Sequence, residues 1–374
     1  MYLRTFLPAS ILAGTLIGAG VFSLPFVFNE SGMGTGLFYM AFLTIFFTFI
    51  HLLYADMAIR TPGEHRFVSY SQMYLGNMGF WLAIFMGLIQ LLIVLAIYLI
   101  LSPSFSGLFI DNNTFYQLLV FWIVGSLGVL LNIERVAFIE FLITVGIIFI
   151  ILLTFFFGIQ DISLKDINWN FNLYNFMTVG PILFSLSGIV AIPEMISYFR
   201  ASRTPLSLLK KSIYWGIGAS VILYILFILG IFGLSSTISG DAVSTLIEST
   251  PTGVVIAIGI LGILSLLSSY IVVGLDVRRV LQYDLLFSST FSKLVVIFVP
   301  ILLYLLGVKN FVNSVDFVGR VFLPLEAIFV IFIWRNANKK LEMPPLLLNK
   351  KTADSMIPIT ILLFLIILFY GMLL

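Results

Sequence analysis

The chain has 374 residues, 61% of them hydrophobic and 10% charged, with a formal net charge of +2 and a mean hydropathy of +1.15. A soluble domain carries roughly 25% charged residues, so an ordinary soluble protein is excluded, and the small net charge gives no basis for nucleic-acid binding. The absence of cysteine removes disulfides, thiol catalysis and cysteine-based metal sites.

Apolar stretches of about 20 residues recur from end to end, the pattern of a polytopic membrane protein in a lipid bilayer. Hydropathy predicts about eleven spans, near 6–28, 36–58, 79–102, 114–132, 136–158, 173–198, 208–234, 252–275, 291–307, 311–334 and 355–374. Each is expected to be helical, because lipid offers no partner to an unpaired backbone amide. No small-residue cleavage site precedes the polar FNESG, so the first span is expected to be retained and not removed as a signal peptide. With the N-terminus cytoplasmic, sixteen of the nineteen lysines and arginines, from Arg4 through Arg135 and Arg203 to Lys351, fall on the inner side. The other three are Lys165, Lys309 and Arg320. The C-terminus is then extracellular or periplasmic, and the membrane expected is the plasma (inner) membrane.

The first span carries GTLIGAGVFSLP, Gly14–Pro25, with further glycines at Gly18 and Gly20. A Gly14–Gly18 pair alone marks close helix packing. Span two holds His51, for which packing is the expected role, and span five, Ala137–Phe155, holds Glu140, which gains no role. The sixth span carries VGPILFSLSGIVAIPE, Val179–Glu194, with Pro181, Gly188 and Pro193. Interrupted spans at matching positions of two halves point to a transporter binding site. Glu194 is expected to be buried there, as a proton carrier or as a carboxylate tied to amides or a basic residue.

Span eight places Ser265, Ser268 and Ser269 on one helix face. Three hydroxyls there suit Na⁺, with carbonyls of Gly14 and Ile17 completing the shell, although serines commonly bond their own helix carbonyls. In span ten, Asp316 and Arg320 stand four apart and can pair, as a gate or merely neutralising each other. Glu326 lies deeper in that span without an assigned role.

Spans one to five and six to ten make two units. Because each holds an odd number, the second must enter from the opposite side, so an inverted repeat follows from topology. The expected units are residues 1–160, residues 161–340, and 341–374 as a linker with an additional C-terminal span. An interrupted helix frees amides on one side of its gap and carbonyls on the other. In span one the second half-helix is expected to begin near Gly18, Ala19 and Gly20, where amides and a positive dipole end suit a carboxylate. In span six the first half is expected to end near Phe184, Ser185 and Leu186, where carbonyls suit an ammonium. Together these suit an α-amino acid, with Thr15, Ser187 and Gly188 completing the candidate set. No GxxxxGK[ST], HExxH, paired-aspartate or Ser–His constellation is present, so neither ATP hydrolysis nor enzyme catalysis is expected. The only cofactor expected is a coupling ion, Na⁺ or H⁺.

Three stretches, GTLIGAGVFSLPFVFNESG (Gly14–Gly32), RTPGEHRFVSYSQMYLG (Arg60–Gly76) and LFSLSGIVAIPEM (Leu183–Met195), resemble amino acid permeases of the tryptophan/tyrosine type. These belong to the amino acid–polyamine–organocation superfamily, with the LeuT fold. The resemblance implies an all-α membrane protein with discontinuous helices one and six, and cation-coupled symport of a large neutral or aromatic amino acid. It places the carboxylate at Gly18, Ala19 and Gly20, and the amino group and side chain at Phe184, Ser185 and Ser187. Metal-ion transporters of this fold would show Asp-Pro in span one and Met-Pro-His in span six, and neither occurs here. Some proton-coupled relatives fill the sodium position with a lysine from span five, which this chain lacks. A channel or a transporter-like sensor are the alternatives; the first would need rings of like charge, the second usually a tail beyond the Met1–Arg4 that precedes span one.

Overall fold

The structure, a computed structural model, describes residues 3–373 apart from 64, 111–112, 131–135, 161, 164–166, 203–204, 206–207, 236, 247–249 and 342, and omits the side chains of 3–4, 136–143 and 373. Arg135, Lys165 and Arg203 therefore lie outside the described residues, as do the side chains of Arg4 and Glu140. Among the described residues every regular element is helical. In chain order these are α1 (Leu3–Leu16), α2 (Leu24–Ser31), α3 (Met33–Arg60), α4 (Phe67–Ser106), α5 (Thr114–Leu130), α6 (Val136–Gly158), α7 (Val179–Ser185) and α8 (Ala191–Ala201). There follow α9 (Leu209–Leu234), α10 (Thr252–Arg279), α11 (Ser289–Leu305), α12 (Phe311–Phe317), α13 (Leu323–Lys340) and α14 (Lys350–Leu373).

Among the described residues six stretches are long and apolar enough to cross a membrane: Met33–Arg60, Phe67–Ser106, Leu209–Leu234, Thr252–Asp284, Phe311–Lys340 and Lys350–Met372. The pair Thr5–Leu16 and Ala19–Ser31, bent by 52° at its break, makes a seventh if it is one span. Four shorter apolar helices accompany them: Thr114–Leu130, Thr144–Gly158, Phe176–Ser185 and Ser289–Leu305. This is the build of a multi-pass membrane protein.

At 40 residues, an unbroken α4 would run about 60 Å, twice the ~30 Å of a hydrocarbon core. It is broken at Gly76, whose φ of 75° and ψ of −161° lie where side chains other than glycine are strained. The membrane-length helix begins only after that residue.

α1 packs on α8 and α9, α7 on the π-helical turn Val318–Phe322, and α3 on α8, α9 and α13. α10 packs on α4, α5, α6 and α11.

One polar node ties distant parts of the chain together. Asp56 and Arg60 of α3 are both buried and pair at 2.7 Å. The second contact of Asp56 Oδ2 is the Trp334 indole N–H of α13 at 2.8 Å. Oδ1 accepts the backbone N–H groups of Leu346 and Leu347, at 2.7 and 2.9 Å, from the connection between α13 and α14. Arg60 closes the node by donating to the Met343 carbonyl at 3.1 Å.

Candidate functional site

Helix α1 stops at Leu16. The Ile17 amide still reaches the Ala13 carbonyl at 2.9 Å, but the Gly18 amide turns to the Leu16 carbonyl at 2.9 Å. Gly18 is extended (φ −114°, ψ −154°) and begins a 3₁₀ turn, Ala19–Ser23, that leads into α2. The Ala19 and Gly20 amides open this turn, and no backbone carbonyl outside it accepts them among the described residues. They are the free donors that a helix start provides.

Helix α7 stops at Ser185, its end closed by the Leu186 amide on the Ile182 carbonyl (3.0 Å) and the Ser187 amide on the Phe184 carbonyl (3.2 Å). The chain becomes helical again at Ala191. The two breaks touch. A Cβ on Gly20 would stand 2.6 Å from Ser185 Oγ, 2.8 Å from Phe184 Cδ1 and 3.0 Å from Ser185 Cα. Gly20 is thus a contact glycine, closed on its Cα side by α7. Gly18, half-buried, is open: a Cβ there would meet only the Thr15 carbonyl, at 3.9 Å.

Tyr224 of α9 joins the breaks. Its hydroxyl, fully buried, lies 2.7 Å from the Leu16 carbonyl and 2.7 Å from the Ser185 carbonyl. One phenol proton serves two helix-ending carbonyls; the Leu16 carbonyl also accepts the Gly18 amide, so the Ser185 carbonyl is the one short of donors. Sequence reasoning passed over Tyr224, one of fifteen tyrosines; the available signal was a lone hydroxyl within the apolar run VILYILFILG.

The remaining candidates divide. Thr15 and Ser185 spend their hydroxyls on their own helices, on the Ile11 carbonyl (3.0 Å) and the Pro181 carbonyl (2.9 Å). Phe184 and Ser187 are half-buried at the break, and Ala19 is buried. Gly188 packs on Leu12, Leu16 and His51.

Ser265 and Ser268 are 5% and 9% exposed and Ser269 is half-buried. None of the three appears in a hydrogen bond among the described residues, so their hydroxyls are not spent on helix carbonyls. The face of Gly14, however, turns to α6, where a Cβ would meet Thr144 Oγ1 at 3.0 Å. Ile17 is buried beside it.

Glu194 is exposed, which corrects the expectation that it is buried. Helix α8 buries Ala191, Ile192, Met195, Ile196 and Phe199, and Glu194 falls on the opposite face with Val190. A carboxylate in the first turn of a helix is favoured there by the dipole.

Asp316 and Arg320 do pair, at 2.6 Å. The guanidinium also lies 5.8 Å from the ring centre of Tyr370 in α14, and Asp316 abuts Gly180 of α7. The pair therefore bridges three elements. A cavity of about 530 Å³ lies among α2, α4 and α12, lined by Phe26, Ile100, Met177, Asp241, Lys309 and Phe311, among others.

A family model described as the tryptophan/tyrosine permease family matches residues 3–371. In three dimensions the chain is similar to MhsT, solved in complex with L-phenylalanine, with a TM-score of 0.70 at 17% identity, over 99% of this chain and 98% of that one. It is also similar to Mhp1, a nucleobase-cation-symport-1 family transporter solved in a closed conformation with bromovinylhydantoin bound. That match has a TM-score of 0.66 at 13% identity, over 87% of this chain and 77% of that one. At such identities the likeness is one of fold. No curated protein matches the sequence.

Proposed function

Because the chain belongs to the tryptophan/tyrosine permease family, we propose that it is a secondary amino acid transporter that binds an aromatic or large neutral amino acid between its two helix breaks. The carrying observation is the junction at Tyr224, where the helix-ending carbonyls of both breaks lie within reach of a single hydroxyl. The substrate carboxylate meets the Ala19 and Gly20 amides over open Gly18, and its ammonium group supplements the one phenol proton at the carbonyls. Phe184 and Ser187 meet the side chain. Transport proceeds by alternating access, the site opening to one side of the membrane at a time.

The six long helices, the bent pair and the four shorter apolar helices make eleven spans in this reading, with the breaks near the bilayer midplane. Residues 1–160 and 161–340 form inverted repeats, and 341–374 adds a linker and a span. The distribution of basic residues supports a cytoplasmic N-terminus in a plasma membrane. The cavity lined by Phe26 and Lys309 is an entry vestibule, with the Asp316–Arg320 pair beside it as a gate.

Sodium is the coupling ion in this reading, held by Ser265, Ser268 and Ser269 with carbonyls of Gly14 and Ile17. The uncommitted hydroxyls support it; the turn of Gly14 toward Thr144 means that α10 must approach α1 for the shell to close. A proton carried by Glu194 is the weaker route, since that residue is exposed. Uptake of labelled aromatic amino acids into proteoliposomes, with Na⁺ and pH gradients imposed separately, tests the proposal. A Na⁺ gradient is expected to drive accumulation, and the double variant Ser268→Ala/Ser269→Ala to abolish that stimulation. Stimulation surviving in the double variant removes the serine site, and uptake indifferent to both gradients removes symport.

A further inference from the structure

His51 of α3 is fully buried and contacts no substrate in the site described above, meeting it only through Gly188. Its Nδ1 lies 2.8 Å from the Phe47 carbonyl, one turn earlier in the same helix. A carbonyl only accepts, so this bond assigns the proton to Nδ1 and leaves a lone pair on Nε2 of the neutral ring. That nitrogen is buried without a hydrogen-bond partner among the described residues. Buried polar atoms are nearly always paired, and each exception calls for a reason.

The reason lies in what Nε2 faces. A Cβ on Gly188 would stand 3.2 Å from it, and 2.8 and 2.9 Å from Leu16 Cδ2 and Leu12 Cδ1. The lone pair is thus aimed at the glycine of the second break, beside the end of α1. On the other side of this contact, the amides of Gly188, Ile189 and Val190 precede α8 and donate to no backbone carbonyl among the described residues. An acceptor without a donor thus meets Gly188, the first of three successive residues whose amides have no backbone acceptor among the described residues.

We propose that His51 is a positioning residue for transport, whose Nε2 accepts a hydrogen bond from one of these break amides in the alternative arrangement of α8. This rests on the transport reading given above. In the arrangement seen here the acceptor is empty, which raises the free energy of this state. A rotation of the break that turns an N–H onto Nε2 fills it and lowers the other state. The ring thereby narrows the gap between two arrangements of α8, and α1, packed on α8, moves with it. A side chain at Gly188 would displace the ends of Leu12 and Leu16 and crowd the imidazole.

The chain has no cysteine, so two can be introduced for spin labels. Ala201→Cys, at the end of α8, and Ser355→Cys, in α14, are both exposed positions. With L-tryptophan present, the labelled protein is expected to show two distance populations. His51→Leu removes the acceptor, and should collapse them to one and slow turnover about tenfold, while equilibrium binding of L-tryptophan stays within about twofold. His51→Gln, which can present an amide oxygen near the Nε2 position, should restore the second population and most of the turnover. If the leucine variant does not fold, His51→Asn serves, since its amide can keep the bond to Phe47 but stops short of Nε2. Two populations persisting in the leucine or asparagine variant overturn the proposal, as does equal impairment of the leucine and glutamine variants, which would show a packing role. A parent protein that neither binds nor transports any aromatic amino acid overturns the transport reading itself, and this proposal with it.

Discussion

Asp56→Ala should cost the protein about 3–5 kcal/mol of stability, the penalty for leaving a buried charge without its partner. The carboxylate accepts from Arg60, Trp334, Leu346 and Leu347 at 2.7–2.9 Å, and Arg60, Trp334 and Leu347 are buried. The Arg60 guanidinium would keep only its contacts to the Asp56 and Met343 carbonyls, both at 3.1 Å. Asp56→Asn should fall between, because an amide preserves two of the acceptor contacts but turns a donor toward the others. Thermal unfolding of the purified protein in detergent measures both. Wild-type stability in the alanine variant would mean that the connection between α13 and α14 is not held by this carboxylate.

Tyr224→Phe should weaken substrate binding by roughly tenfold to a hundredfold. Phenylalanine fills nearly the same space, so packing against α1 and α7 survives. What is lost is the hydroxyl shared by the Leu16 and Ser185 carbonyls; the Leu16 carbonyl keeps the Gly18 amide, and the Ser185 carbonyl is left without that donor. A buried acceptor left unpaired costs about 1–3 kcal/mol, and about 1.4 kcal/mol is tenfold in affinity. The loss should appear in binding because the two breaks are no longer held together where the ligand must bridge them. Stability should fall less, since the breaks also meet through Gly20 and Phe184. Unchanged affinity in the phenylalanine variant would separate Tyr224 from the site.

Local chemistry was legible in the sequence. Glycine and proline act on the residues beside them, so the stops at Leu16 and Ser185 could be anticipated from GTLIGAGVFSLP and VGPILFSLSGIVAIPE. The four-residue spacing of Asp316 and Arg320 likewise brings them together on any helix. The family could be read from three short stretches, and the match over residues 3–371 agrees. What was not legible is rotation and long-range partnership. Whether Glu194 faces the bundle depends on how α8 turns about its axis, and proline beside it says nothing of that. Gly14 meets Thr144 for the same reason. Asp56 and Leu347 are 291 positions apart, and Tyr224 lies 208 from Leu16; no periodicity links such residues. Gly20 and Gly18 looked alike in sequence, yet one is sealed by a neighbouring helix and the other open.

That difference supplies the most direct test of an amino acid site at the breaks. Gly18 has an extended backbone with negative φ, and space where a side chain would stand. Gly18→Val should therefore fold normally while filling the approach to the Ala19 and Gly20 amides. Equilibrium binding of labelled L-tryptophan and L-tyrosine to the two purified proteins is the measurement. Saturable binding by the parent, and a loss of at least about tenfold in Gly18→Val at unchanged unfolding temperature, is the predicted result. Equal affinity in the two proteins would place the substrate elsewhere and contradict the site.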